Sequence, residues 1–354
     1  MLRGDSVPSF KHDRVTPAQI IILGFLLLIF TGAVLLMLPF STQEPGGASF
    51  GDALFTATSA TCVTGLVLHD TALYWSPFGQ LVILLLIQVG GMGVVTIAVA
   101  IFMFAGKRIG LKQRWVMQES ISAPQVGGIV RMTGFILKTA FLIEGVGVLL
   151  LALRFCPQFG LGRGLWYAVF HSVSAFCNAG FDLMGVNSPF SSLTDYVGDP
   201  LVSNVIAFLI IIGGVGFLTW NDIREHKLHF RRYRLQSKLI LTTTLALILT
   251  GLLFFLLYEF EQGQWVDMSL WERINAAFFQ SVTPRTAGFN TVDLTGLSQP
   301  AQLLIILLML VGGSPGSTAG GFKTTTLAVM LLGIRAVFRH KERPQCFGRR
   351  IADE

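Results

Sequence analysis

Hydrophobic positions in this chain fall in long unbroken runs rather than in the spaced stripes of a globular domain. The clearest are Ala18–Phe40, Phe78–Ala105, Thr133–Leu153, Leu201–Trp220, Ser237–Tyr258 and Ala301–Phe338. They lie near or above the length of about 20 residues that a bilayer core requires, so they predict membrane helices. The first run is longer than the apolar region of a signal peptide, about 7–15 residues, and lacks a small-residue cleavage site, so it reads as a retained helix. Between the runs lie three polar stretches of one pattern: FTATSATCVTGL (Phe55–Leu66), FHSVSAFCNAGF (Phe170–Phe181) and FFQSVTPRTAGF (Phe278–Phe289). Each has a Phe ten residues before a Gly, a Ser/Thr-rich turn between, and an apolar residue after the Gly. Such backbone is tolerated at membrane depth only where protein buries it or water lines it.

Composition agrees. Of 354 residues, 52% are apolar and 13% charged, with mean hydropathy +0.65; soluble domains carry about 25% charge. Charge placement predicts orientation. Segments 1–17, 106–132, 221–236 and 335–354, together with Lys238, hold 20 of the 26 Lys and Arg. Segments 41–77, 154–200 and 259–300 hold four basic residues and 11 of the 20 acidic ones. The positive-inside tendency puts the basic set and both termini in the cytoplasm. The net charge of +6 is thus a topology signal, and no basic block carries a nucleic-acid recognition motif. The four cysteines have no disulfide-framework spacing.

The repeat glycines Gly65, Gly180 and Gly288 are 115 and 108 residues apart, and a glycine cluster follows each: VGGMG at 89–93, IGGVG at 212–216 and VGGSPG at 311–316. Each unit reads as helix, short pore helix with loop, helix. The pore helices are expected over about Gly51–Thr61, Gly164–Phe176 and Leu270–Thr283. This unit returns the chain to the side it came from, as the basic segments require. The last long run differs from its counterparts: GGSPGSTAGGFKTTT interrupts it after Ala301–Val311, whose eleven residues of helix reach about 16 Å, roughly half the hydrocarbon thickness. The expected divisions are an N-terminal segment 1–17, units at 18–106, 133–222 and 237–338, loops 107–132 and 223–236, and a linker 339–354.

Carbonyls before each repeat glycine are candidates to replace the hydration shell of a monovalent cation. These are Thr61, Cys62, Val63, Thr64 and Gly65; Phe176, Cys177, Asn178, Ala179 and Gly180; and Pro284, Arg285, Thr286, Ala287 and Gly288. The acids Asp70, Asp182, Asp195, Asp199 and Asp293 either raise local cation concentration or form a solvated face. The interrupting stretch, with Gly312, Gly313, Ser314, Pro315, Gly316, Ser317, Thr318, Ala319, Gly320, Gly321 and Lys323, reads as an intramembrane loop that obstructs the path, or as a structural kink. Its GSTAGGFKT misses the phosphate-loop pattern, since Phe322 separates Gly321 from Lys323 and no strand precedes it. Glu144, midway along its run, calls for a partner and reads as structural, packed on a pore helix or in a salt bridge. Arg285 is expected to point off the axis and brace its loop. No hydrolytic motif is present, so no enzyme activity is expected.

TATSATCVTGL, SVSAFCNAGFD, SVTPRTAGFNT and GGSPGSTAGGFKTTT, in this order over residues 18–350, resemble the Trk/Ktr/HKT superfamily of potassium transporters, and most nearly the membrane subunit of bacterial Ktr-type systems. The resemblance implies an all-α integral membrane fold of parallel helix–pore loop–helix repeats, four around a pseudo-fourfold pore. It implies a selectivity filter at the three loops, with potassium at their carbonyls, and a gate over Gly312–Thr326. It further implies potassium uptake with sodium as activator and a homodimer. The partner implied is a cytoplasmic ring of regulatory subunits that binds the nucleotide, in the inner membrane of a bacterium. A fourth glycine, due near position 400, is absent from these 354 residues. The sequence therefore reads as three of four repeats, and such a chain is expected not to conduct selectively alone. The alternatives are a non-conducting split copy and a re-entrant-loop secondary transporter, which predicts inverted repeats.

Overall fold

A computed structural model describes residues 16–104, 110–120, 128–340 and 343–350, without the side chains of 102–104 and 111–112. Expectations for most of segment 1–17 and for parts of the loop 107–132 and the linker 339–354 fall outside the described residues. Three similar units follow one another. The first holds α1 (Pro17–Leu36), the short α2 (Phe50–Thr61), the single turn α3 (Thr71–Tyr74), α4 (Pro77–Met92) and α5 (Val94–Phe104). Helix α6 (Leu111–Ser120) leads to α7 (Ile129–Phe159), α8 (Leu161–Phe176), α9 (Pro200–Val215) and α10 (Phe217–His226). The third unit has α11 (Leu235–Phe254), α12 (Leu270–Val282), α13 (Gln299–Leu310) and α14 (Thr324–Phe338). A short hairpin of β1 (Gln345–Cys346) and β2 (Arg349–Arg350) and two isolated bridges, Thr42 with Trp75 and Val311 with Phe322, are the β-structure among the described residues.

Local chemistry starts these helices where they start. Thr16-Pro17, Ser76-Pro77 and Asp199-Pro200 open α1, α4 and α9: a side-chain oxygen accepts from a first-turn amide, and proline needs no amide partner there. Ser269 and Glu272 form a capping box at α12. Helices α1, α7 and α11 with its π-turn Phe255–Glu259 are long and apolar enough to cross a membrane, and two bent pairs raise the number to five. Their outward faces are apolar: Leu23 and Leu27 of α1 are 65% and 67% exposed. This arrangement suits hydrocarbon and would be unstable in water.

The runs Phe78–Ala105 and Leu201–Trp220 are not straight. Helices α4 and α5 meet at 97°, and α9 and α10 at 95°. Gly93 (φ +84°) and Gly216 (φ +95°) are the hinges, in a region that side chains with a Cβ rarely enter. Interruption at the glycine cluster is therefore common to all three units. The third differs in the length of its inserted loop, which separates α13 from α14.

Within units, α1 packs on α2 and α4, α7 on α8 and α9, and α11 on α12 and α14. Between units, α4 packs on α8 and α9 on α12, which brings the ends of the three short helices together.

Candidate functional site

Helices α2, α8 and α12 end in loops of one shape. Val63, Asn178 and Thr286 have φ of 56°, 57° and 63°, and two residues later Gly65, Gly180 and Gly288 have φ of 79°, 72° and 85°. A residue with a Cβ in this region costs roughly 1–2 kcal/mol, so a threefold recurrence at one position marks a shape held against local preference. Hydroxyls hold it. Ser59 and Ser174 donate to the carbonyls of Leu66 (2.7 Å) and Phe181 (2.6 Å), and Thr283 donates to that of Phe289. Each acceptor follows its loop's glycine. In the first two loops Thr64 and Ala179 also donate backbone N–H to Ser59 (2.8 Å) and Ser174 (2.8 Å). The third departs: Ala287 donates to Thr283 (3.1 Å) and Thr286 to Pro284 (2.8 Å).

The three loops touch. A Cβ placed on Gly65 would lie 2.6 Å from the Ala179 oxygen, and one on Gly180 would lie 2.7 Å from the Ala287 oxygen and 2.9 Å from the Gly288 Cα. All three glycines line one cavity of about 110 Å³ with Asp70, Asp182, Ser192 and Asn290. The five acids thus divide. Asp199 caps α9 and pairs with Arg154 at 2.5 Å, Asp195 accepts from Asn187, and Asp293 binds Thr295. Asp70 and Asp182 line the cavity. Asp182 keeps partial access to it while protein encloses its other sides, and this burial pushes its carboxyl up to about 6, against the Met184 amide at 3.0 Å, which favours the charge.

On the other side of the first loop, Thr61, Cys62 and Val63 line a second cavity of about 450 Å³ with Gly90–Gly93, Phe217 and Gly316–Gly320. The backbone from Thr61 to Gly65 therefore runs from one cavity to the other. The glycine clusters seat the long helices against the loops. A Cβ on Gly90 would fall 2.0 Å from the Thr61 oxygen, and one on Gly213 2.0 Å from the Phe176 oxygen. Gly91 leaves room for Cys177, whose sulfur would lie 2.7 Å from an added Cβ. The Asn178 amide, oriented by its hydrogen-bond network, donates to Ala175 (3.1 Å) and Ile210 (3.2 Å).

The stretch between α13 and α14 is a tight loop. Its neck closes through Gly312 N–H to Phe322 (3.0 Å) and Gly313 N–H to Gly320 (3.0 Å). It docks on the α9–α10 hinge: Ser314 N–H donates to Gly214 (2.9 Å), Thr318 N–H to Gly213 (3.3 Å), and Phe217 N–H to Gly316 (2.7 Å), while the Pro315 oxygen lies 2.8 Å from where Gly216 would carry a Cβ. Inside it, Ser317 donates to Ser314 (2.6 Å) and the Lys323 ammonium to Ala319 (3.0 Å), and Ser314 shares a hydrogen bond with Thr324 (2.9 Å). Gly321 (φ +73°) passes the third loop, where an added Cβ would lie 3.4 Å from Thr286.

Glu144 takes the first of its two expected structural roles, packed on a pore helix. Glu144 is buried and accepts from the Gln88 amide at 3.0 and 3.3 Å, and its backbone carbonyl accepts from Ser172 of α8 (2.7 Å). It thus ties α7 to α4 and α8 without an ion pair among the described residues. Arg285 is buried with Nε unpartnered among the described residues, and the hydroxyl bond across the third loop comes from Thr283. The bracing hydroxyls and Gln88 escaped sequence reasoning; the visible signal was a Ser or Thr five or six residues before each glycine. All four cysteines are free.

A profile of the TrkH family, described as "Cation transport protein", matches residues 7–353. The Ktr system potassium uptake protein B of Bacillus subtilis is 43% identical over 342 residues, covering 96% of this chain and 75% of that protein. The potassium/sodium uptake protein NtpJ of Enterococcus hirae is 41% identical over 340 residues, covering 96% of this chain and 74% of that one. The chain thus spans about three quarters of the length of these relatives. The crystal structure of the potassium transporter TrkH from Vibrio parahaemolyticus superposes with a TM-score of 0.68 at 20% identity, over 93% of this chain and 64% of that one. That likeness establishes the shared fold. The protein belongs to the TrkH family of cation transport proteins.

Proposed function

We propose that this chain is the ion-translocating membrane subunit of a potassium-uptake system, with the three glycine loops forming part of a carbonyl-lined selectivity filter. The observation that carries this reading is the first loop, whose backbone connects an acidic cavity at Gly65 to a second cavity at Thr61–Val63 beside two loops of the same shape. Carbonyls from several loops around one axis replace the water of a potassium ion. The buried hydroxyls of Thr61 and Thr286, in two of these loops, have no hydrogen-bond partner among the described residues. Relatives named for potassium uptake, and for potassium and sodium, support the choice of ion and a sodium effect on it.

In this reading residues 312–323 are the gate. The loop borders the second cavity with Gly316–Gly320 and is held by hydrogen bonds to a glycine hinge, which release without unfolding a helix. The basic ends of the helices face the cytoplasm, where a nucleotide-binding regulatory subunit would act on the gate, and the membrane subunit pairs with a second copy. Four such loops around a pseudo-fourfold axis would complete the ring.

Two measurements test it. Potassium should raise the melting midpoint of the detergent-solubilised protein more than sodium or N-methylglucamine does, and Gly180→Asp should remove the difference. In a strain without its own uptake systems, potassium-dependent growth supported by this chain supplied with a fourth loop unit should be lost with Gly65→Asp or Gly288→Asp. A midpoint indifferent to potassium, or growth that survives these substitutions, sinks the reading.

A further inference from the structure

The side of the bundle carrying the basic loops has an open groove that ion passage does not use. It measures about 840 Å³ and lies between α6, the start of α7 and α10, lined by Arg114, Arg131, Lys138 and Arg224 over Phe135 and Leu142. Arg224 stacks on the Phe135 ring at 4.9 Å. The Nε of Arg114 is buried without a hydrogen-bond partner. None of the four has an ion pair to another described residue, so four cations converge where like charges repel. Such a cluster is stabilised by an anion.

The groove is more apolar than polar, and its apolar side continues. Arg131, Phe135, Lys138, Leu142, Leu149 and Leu153 recur at three-, four- and seven-residue steps, which places them on one face of α7. Leu142, Leu149 and Leu153 are 68%, 70% and 67% exposed. Leu142 to Leu153 rises about 16 Å, close to the depth of one leaflet. Basic side chains at one end and a leaflet-long apolar stripe at the other match the two parts of a phospholipid.

We propose that this groove binds an anionic phospholipid of the basic-side leaflet, its phosphate held by Arg114, Arg131 and Arg224, Lys138 reaching down to it, and an acyl chain along Leu142–Leu153. A soluble phosphate would use the cations and leave the stripe uncovered. An acidic protein segment would likewise have no use for a lipid-facing stripe. The inference requires that the apolar helices lie in a bilayer and does not depend on which ion passes.

The test is a melting titration of the full chain in neutral detergent with phosphatidylglycerol, phosphatidylcholine or glycerol 3-phosphate, plus lipid counting after extraction from vesicles of phosphatidylcholine with about one quarter phosphatidylglycerol. Phosphatidylglycerol should raise the midpoint and co-purify, and the other two should do neither. Arg131→Gln with Lys138→Gln should raise the half-saturating phosphatidylglycerol concentration about fivefold per charge removed. Arg131→Lys should retain most binding, and Arg232→Gln, exposed and outside the groove, should retain all of it. Both glutamines replace exposed side chains, so unchanged helical circular dichroism separates lost binding from lost fold. Equal response to phosphatidylcholine, protection by glycerol 3-phosphate, or no effect of the double substitution overturns the proposal.

Discussion

Thr318 donates its hydroxyl to the carbonyl of Phe176 at 2.9 Å, joining the 312–323 loop to the end of α8 where the second glycine loop begins. Its backbone N–H adds a bond to Gly213 at 3.3 Å. One residue thus contacts both the proposed gate's seat and the first carbonyl of a proposed filter strand. Thr318→Val keeps the shape and removes the hydroxyl, at about 1 kcal/mol plus the cost of leaving a buried carbonyl unpaired. Amide exchange of Ser314 and Thr318 should quicken and cation flux should rise. Unchanged exchange and unchanged flux would separate the loop from the path.

Gly90→Ala and Gly213→Ala each drive a methyl to within 2.0 Å of a loop carbonyl. Backbone stands on both sides, so relief requires the helix to move, and a loss of about 3 kcal/mol or more is expected. Gly145, also in a long helix, has open space where its Cβ would be. Gly145→Ala should be neutral or stabilising by up to about 1 kcal/mol. Melting midpoints of the three variants check the contrast; equal effects would mean that the glycine clusters are not packing devices.

Gln88→Leu leaves the buried Glu144 carboxyl without its side-chain partner, and should destabilise by about 1–3 kcal/mol. Adding Glu144→Leu should recover much of that, because an apolar pair of similar size removes the unpaired buried polar group. A double-mutant cycle on thermal stability reads the coupling. Additive losses would refute the link between α4 and α7.

Asp182 gives the acidic cavity a dependence on pH. Burial raises its folded-state value from 3.8 to about 6, so the folded protein holds this proton more tightly than the unfolded chain. Its contribution therefore favours the folded state at low pH and is lost as pH rises from about 4 to 6. The cavity gains the negative charge of Asp182 over the same upper range. Potassium binding should strengthen as pH rises through 6, and Asp182→Asn should flatten that rise while leaving the protein more stable at neutral pH. A pH profile identical in the variant would remove Asp182 from the cation's surroundings.

Much of this was legible in one dimension because the bilayer enforces simple rules. Runs of apolar residues mark helices, and proline after Ser, Thr or Asp marks where several begin. The third interruption was visible because GGSPGSTAGG cannot continue a helix. The bends at Gly93 and Gly216 were not, since VGGMG and IGGVG, without a proline, stay compatible with a helix until a loop carbonyl demands their space. Arg285 and Asp182 look alike in sequence, as lone charges beside a glycine loop. One is buried with an unpartnered nitrogen and the other lines a cavity, a difference set by neighbours more than a hundred residues away in some cases, as Asp70 is from Asp182.

The sequence alone determined where helices start, that three glycine loops recur in register, and which ends are basic, because these depend on local conformational preference and on transfer of side chains between water and hydrocarbon. Only the tertiary structure decided that the loops meet glycine to glycine, that hydroxyls lock them, that two acids of five line the cavity between them, and that the 312–323 loop hangs on the hinge of another unit. Those are contacts between backbone atoms of distant segments. Carbonyls and amides are the same in every residue, so no pattern of side chains reveals which of them will pair.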